Sequence, residues 1–309
     1  MDNRVVNLFL LPGVPMAAQF HSRREFLREA VVVSAGAWLA PKTLAVRLAS
    51  LPAVAQKFTA ADTITLGQTG IKTSRLAMGT GTVGSGHHSH QTALGIDGLS
   101  RLLLNGYDNG LRFFDAADSY GSHPHVAEAL KQVDRSKVTV LTKSWARDAS
   151  GMRADLERFR RELNVEHIDV MLMHCVTDGD WTTKYRGAMD VLEEAKQKGV
   201  IRAHGCSCHT IEALRAAAKS PFVEVDLVRI NPIEAEMDAS PETVVSVIRE
   251  MRAAGKGIVG MKILGQGALR QRQDEALHYA LGLGLLDAFT IGAESILEQK
   301  DLMRRIAAV

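Results

Sequence analysis

From about residue 76 onward the chain repeats one unit: a short, almost wholly apolar run, then a segment with helical period, then the next apolar run. The runs predict strands near residues 76–78, 112–115, 138–142, 168–173, 200–206, 223–230, 258–263 and 288–291. Between them, Met152, Leu156, Phe159 and Leu163 fall on one helical stripe, as do Val244, Ile248 and Met251, with charged residues opposite. Ser240-Pro241 reads as an N-cap followed by proline at the first helical position, and Gly199 stands where a helix should stop. Apolar strands each followed by an amphipathic helix form a parallel sheet covered on its outer face, and eight such units specify a closed (β/α)8 TIM barrel. The competing architecture is an open doubly wound sheet. Gly79, Gly81, Gly84 and Gly86 lack the G-x-G-x-x-G spacing of that fold, and a long loop follows them instead of a helix.

Ahead of the barrel, residues 63–76 predict a hairpin turning at Gln68-Thr69-Gly70. The N-terminus is of another kind: Ser22-Arg23-Arg24-Glu25-Phe26-Leu27-Arg28 precedes an uncharged run over 30–40, and Ala53-Val54-Ala55 has the form of a cleavage site. This succession predicts an export signal of twin-arginine type over residues 1–55, with the barrel domain over 56–309. The apolar run is far short of the ~20 residues a membrane span requires. The expected location is therefore the periplasm, reached through the twin-arginine export machinery, or the cytoplasm if the leader does not function. A net charge of +2 gives no reason to expect a nucleic-acid partner. Cys175, Cys206 and Cys208 are too few for a disulfide framework and are expected as small core residues. His87, His88 and His90 have no carboxylate or cysteine spaced for a metal, so no metal site is expected and the histidines belong to an exposed or substrate-facing loop.

Three polar residues close apolar runs: Asp115 after Phe113-Phe114, Lys143 after 138–142, and His174 after 170–173. In a parallel barrel the C-terminal strand ends share the face where chemistry is done. Tyr120, five residues past Asp115, falls on the loop above that face. A phenol with a pKa near ~10 is a poor proton donor at neutral pH, and a neighbouring ammonium should lower it. Lys143 is expected to do this, with Asp115 holding the lysine charged and His174 bonding a substrate oxygen or relaying a proton. Such a set suits protonation of an alkoxide formed as a carbonyl is reduced, and no side chain supplies hydride, so a nicotinamide cofactor is implied. Two other readings stand beside it. One is a non-enzymatic barrel that senses redox state through cofactor occupancy and regulates a partner; the other is a lyase using Lys143 as a Schiff-base nucleophile.

From about Thr63 to Val309 the chain resembles the aldo-keto reductases. Asp115-Ala116-Ala117-Asp118-Ser119-Tyr120-Gly121 is similar to that family's Asp/Tyr signature, Thr142-Lys143 to its lysine motif and Leu172-Met173-His174 to its histidine motif. The resemblance implies a barrel whose bottom is closed by an N-terminal β-hairpin, without a Rossmann domain. It also implies NADP(H) or NAD(H) extended across the mouth, a carbonyl or alcohol substrate, and Tyr120 as acid or base.

It further implies cofactor contacts at Ser207, Cys208, Asn231, Lys262, Gly292, Ala293, Glu294, Ser295 and Gln299. This chain departs from the family pattern at three points. Cys208 replaces an asparagine and is a poorer partner for an amide. Leu227 stands where a glutamine is expected, with Arg229 nearby either to compensate or to form a barrel ion pair. Glu294 replaces a basic residue of the phosphate loop, which makes NAD an alternative to NADP. Lys262 is read either as a contact to the cofactor diphosphate or as half of a second ion pair at the mouth.

Overall fold

The computed structural model describes residues 57–309; the export leader expected over residues 1–55 lies outside the described residues, apart from what the sequence itself says. The chain divides into two units at residues 54/55, and only the second is described below.

β1 (Thr63–Thr65) and β2 (Lys72–Ser74) form an antiparallel hairpin. The turn between them uses Gly70 at φ +73°, as the glycine there predicts. Leu66 and Ile71, on the connecting segment, are fully buried and pack against the apolar interior of the barrel. The hairpin is pinned by Gln68 N–H donating to Gly255 O at 2.9 Å and Gly67 N–H donating to Asp287 Oδ2 at 3.1 Å. Gly67 itself has no room for a side chain, since a Cβ would lie 2.3 Å from the Gly257 nitrogen. The hairpin therefore plugs the end of the barrel opposite the strand C-termini.

Eight parallel strands follow and close on themselves: β3 (Leu76–Gly79), β4 (Phe113–Asp115), β5 (Thr139–Ser144), β6 (Ile168–Val176), β7 (Ile201–Cys208), β8 (Val225–Arg229), β9 (Gly257–Met261) and β10 (Ala288–Ile291). β10 pairs with both β3 and β9, which removes every sheet edge and excludes the open doubly wound alternative. The helices are α1 (Gly95–Asp108), α2 (His123–Leu130), α3 (Ala149–Leu163), α4 (Trp181–Lys184), α5 (Arg186–Gln197), α6 (Ile211–Lys219), α7 (Pro241–Ala253), α8 (Gln273–Gly282) and α9 (Ile296–Ile306). The four stripe residues of α3 and the three of α7 are all buried. Ser240 Oγ accepts from Thr243 N–H at the start of α7, and Gly199 takes φ +72° just beyond α5. Among the described residues no helix is long and apolar enough to cross a membrane.

Strand alternation divides the buried residues into two layers. Ala77, Phe113, Leu141, Val170, Leu172, Ala203, Val225, Leu227, Val259, Met261 and Ala288 fill the barrel interior. The intervening positions, among them Phe114, Val140, Met171, Met173, Cys206, Cys208 and Val228, pack against the helices. This parity decides which strand-end residues reach the mouth.

Candidate active site

Two-residue steps carry the interior rows upward into polar side chains: Phe113 to Asp115, Leu141 to Lys143, and Leu172 to His174. All three emerge at the mouth, and all are buried: Lys143 is 0% exposed, Asp115 5% and His174 6%. Lys143 Nζ donates to Asp115 Oδ1 at 2.5 Å and to Ala116 O at 2.8 Å. Thr290 Oγ1, at the end of β10, donates to Asp115 Oδ2 at 2.8 Å. The carboxylate is thus held from both sides, as a buried charge must be.

Tyr120 sits on a short turn over 118–120 that Gly121 ends at φ +65°. Arg158 of α3 clamps that turn by bonding both Asp118 oxygens, at 2.7 and 2.9 Å. His123 Nδ1, 2.7 Å from Glu162, joins the same network, and its Nε2 lies 2.7 Å from Thr142 Oγ1 beside Lys143. The Tyr120 ring lies 4.8 Å from Lys143 Nζ and stacks edge-on to His174, with centroids 5.7 Å apart. Gly81 and Gly84 make space for that ring. A Cβ on Gly81 would lie 2.2 Å from Tyr120 Cε2, and one on Gly84 2.3 Å from Cδ1. These glycines do not form a dinucleotide fingerprint; they form the bed of the tyrosine.

The electrostatics correct one expectation. Burial raises the Tyr120 pKa, and the opposing pull of Lys143 does not overcome it, so the net shift is upward. The phenol therefore keeps its proton at neutral pH. Burial works against the charge on Lys143 too, but Asp115 and Tyr120 outweigh it and the ammonium is retained. His174 is pushed well below the ordinary histidine value by burial, then by Lys143, His209 and Arg147, and is a neutral imidazole. Its Nδ1 is 3.5 Å from Ser119 Oγ.

Beyond His174 the end of β6 is irregular: the register to β7 shifts between Met173 and Val176, and Cys175 takes φ +54°. Arg147 holds this bend by donating to the His174 and Cys175 carbonyls, and its guanidinium lies over the Trp145 ring at 5.6 Å. Thr290, Arg147, Arg158 and the glycine bed were not singled out in the sequence reading. The glycines were visible there as a cluster, but their contact with Tyr120 joins segments about 40 residues apart.

A cleft of about 320 Å³, open to solvent, is lined by Asp115 and Tyr120 and by residues of β8 to β10. Lys262, Gln266, Arg270, Gly292, Glu294 and Glu298 line its length. Lys262, at φ +58°, donates to Gln266 Oε1, and no second mouth ion pair involves it among the described residues. Arg229 does form an ion pair, with Asp238. Glu294 Oε1 is 2.8 Å from His90 Nδ1, which brings the histidine loop to the cleft without a metal cluster there among the described residues. Glu294 N–H donates to Glu298 Oε2 at 2.8 Å.

Of the residues expected to meet a cofactor, Lys262, Gly292 and Glu294 line this cleft. Ser207 points inward, accepting from Cys175 N–H at 3.0 Å. The others are not among its lining residues. Cys208 has the outward parity of β7 and packs in the helix layer. Asn231 is 0% exposed, and its amide bonds the Ala235 and Lys262 carbonyls and the Ile233 and Ala235 N–H groups. Ala293 is buried, Ser295 caps α9 by accepting from Glu298 N–H, and Gln299 ties α9 to Leu102 and Asn105 of α1.

A model of the Aldo/keto reductase family matches residues 75–281. The chain is 28% identical over 223 residues to probable aldo-keto reductase 1 of Glycine max, covering 66% of this chain and 60% of that protein. It is 26% identical over 192 residues to the NADH-specific methylglyoxal reductase of Escherichia coli, covering 54% and 57%. The chain spans 50% to 64% of the length of the first curated relatives it matches. Among solved structures, the holo form of an aldo-keto reductase from Bacillus halodurans superposes with a TM-score of 0.68 at 18% identity, covering 81% of this chain and 92% of that one. Its apo form gives 0.64 at 20%, covering 81% and 91%; at these identities both show the fold. The match extends over two thirds of the sequence and takes in the strand ends that carry Asp115, Lys143 and His174, and on that ground the chain belongs to the aldo/keto reductase family.

Proposed function

We propose that the protein is a nicotinamide-dependent oxidoreductase that interconverts a small aldehyde or ketone and its alcohol. The observation that carries this reading is the buried Lys143 ammonium, bonded to Asp115 and placed beside a Tyr120 phenol that keeps its proton, in the wall of an open cleft. The cleft fits an extended dinucleotide in its donor set. Lys262 and Arg270, both in its lining, offer cations to a diphosphate. When bound, the cofactor supplies hydride to the carbonyl carbon.

The chain's own residues manage the oxygen. Tyr120 donates a hydrogen bond to the carbonyl oxygen and passes its proton as charge develops there. Lys143 stabilises the phenolate that this leaves, and Asp115 fixes the ammonium in place. His174, neutral and beside the tyrosine ring, provides the second polar contact to the substrate oxygen. In the alcohol-oxidising direction the same phenolate takes the proton back. The Schiff-base reading is disfavoured because a lysine nucleophile must be uncharged, whereas Asp115 keeps Lys143 protonated.

Substrate class is suggested by relatives that reduce methylglyoxal, so small 2-oxoaldehydes are the first compounds to try. Loss of NADH or NADPH absorbance on adding methylglyoxal and simple aldehydes tests the reading. Turnover supports it; cofactor binding without turnover on any carbonyl would favour the sensing alternative.

We also propose export through the twin-arginine machinery, on the strength of Arg23-Arg24 and the uncharged run behind them. Cell fractionation of the full chain beside an Arg23→Lys/Arg24→Lys variant tests this. Periplasmic protein in the first and retention in the second is the expected pair of results.

A further inference from the structure

On the outer side of the barrel, away from the cleft, β7 and β8 bring two thiols and a carboxylate together. Cys206 and Cys208 share the outward face of β7, and Asp226 is the register partner of Cys206 on β8. All three are 0% exposed. The sulfurs are 3.7 Å apart, and Asp226 Oδ2 is 3.2 Å from the Cys206 sulfur and 3.9 Å from that of Cys208. Asp226 Oδ1 is buried and has no hydrogen-bond partner.

We propose that Cys206, Cys208 and Asp226 form a structural site for a thiophilic divalent ion of the zinc type. Zinc–sulfur bonds of ~2.3 Å and zinc–oxygen bonds of ~2.0–2.2 Å at tetrahedral angles put two sulfurs ~3.8 Å apart and each sulfur ~3.5 Å from the oxygen. The separations in the protein, 3.7, 3.2 and 3.9 Å, fall within about 0.4 Å of those edges, so small side-chain adjustments bring the three donors onto vertices around one point. The unpartnered Asp226 Oδ1 belongs to the carboxylate of the third vertex, and a bidentate hold on the ion would satisfy it where no protein group does.

Charge also balances. Lys256, buried and held by the Ser220 and Val223 carbonyls, is close enough to interact with both Cys206 and Asp226. Two thiolates, one carboxylate, one ammonium and a divalent cation sum to zero, the condition for burying charged groups together. Without the ion the thiols must stay protonated, donating to one carboxylate oxygen and leaving the other bare. Full burial implies that the ion enters as the chain folds and is then retained. The site is independent of the reductase reading, although Ser207, between the two cysteines, would have its inward position at the mouth fixed by it.

The test is metal analysis of the full chain expressed in zinc-supplemented medium and passed through a chelating column. The expected result is about one zinc ion per folded chain, falling at least ~10-fold in Cys206→Ser/Cys208→Ser, a near-isosteric change. Chain produced in cobalt medium should show an intense near-ultraviolet thiolate-to-cobalt absorption that Asp226→Asn shifts and the double serine variant lacks. Folded native chain that carries no metal and shows three titratable thiols on denaturation, Cys175 included, overturns the proposal. So does a native mass lower by two hydrogens, which would mean a Cys206–Cys208 disulfide. Both readings come from the native chain, so a variant that fails to fold does not blunt the test.

Discussion

Lys143 donates to Asp115 at 2.5 Å with neither side chain appreciably exposed, so one ion pair forms the floor of the barrel mouth and part of the barrel's upper core. Removing one partner strands the other. Lys143→Met is expected to destabilise the protein by about 3–5 kcal/mol, less whatever Asp115 recovers by taking up a proton. Urea denaturation should further show that Asp115→Leu/Lys143→Met is more stable than Lys143→Met alone. A double variant no better than the single would mean that the pair is not the buried unit described.

The cleft that Tyr120 lines also carries two carboxylates, Glu294 and Glu298, and Glu298 already occupies the Glu294 N–H. A 2′-phosphate placed there meets like charge worth on the order of 1 kcal/mol per carboxylate. NADH is therefore expected to bind at least ~10-fold more tightly than NADPH, and Glu294→Arg to narrow or reverse the ratio. Parallel fluorescence titrations measure this. Equal affinities in the native chain would place the adenosine end of the cofactor elsewhere.

Four histidines, His125, His174, His204 and His209, have pKa values lowered chiefly by burial, His209 to about 4. A base whose folded pKa is depressed favours folding above its unfolded value near ~6.5, and that stability is lost as pH falls through the folded pKa. Thermal midpoints should therefore drop between about pH 6.5 and pH 4, with His209 alone contributing about 3 kcal/mol by the end of that range. His209→Gln should flatten part of the decline; an unchanged profile in that variant would remove His209 from the cause.

Gly81 lies against the Tyr120 ring, and a methyl group there would sit 2.2 Å from Cε2. Gly81→Ala is expected to shift the phenol and lower kcat by about 10- to 100-fold while cofactor affinity changes little. Stopped-flow binding and steady-state rates separate the two effects.

Much of this was legible in the sequence because it rests on parity. Eight apolar runs set the strand count, and stepping by two from Phe113, Leu141 and Leu172 leads to Asp115, Lys143 and His174 at one barrel end. The same parity turns Cys208 away from the mouth, which a motif comparison ignores and the strand pattern shows. Residues held by loop geometry were not legible: Asn231 reads as a ligand group until its amide is found spent on the 231–235 turn. The sign of the Tyr120 shift was missed as well, because it depends on how much water burial removes, and spacing alone does not report that.

If Tyr120 is the proton donor of a carbonyl reductase site, its hydroxyl is the one group that Tyr120→Phe must show to be essential. The phenyl ring preserves the contacts with Gly81, Gly84 and His174 while removing only the hydroxyl. Carbonyl reduction is expected to fall about 10²- to 10⁴-fold while nicotinamide binding stays within about 3-fold of the native chain. Reduction at the native rate by Tyr120→Phe, with cofactor bound, would contradict it.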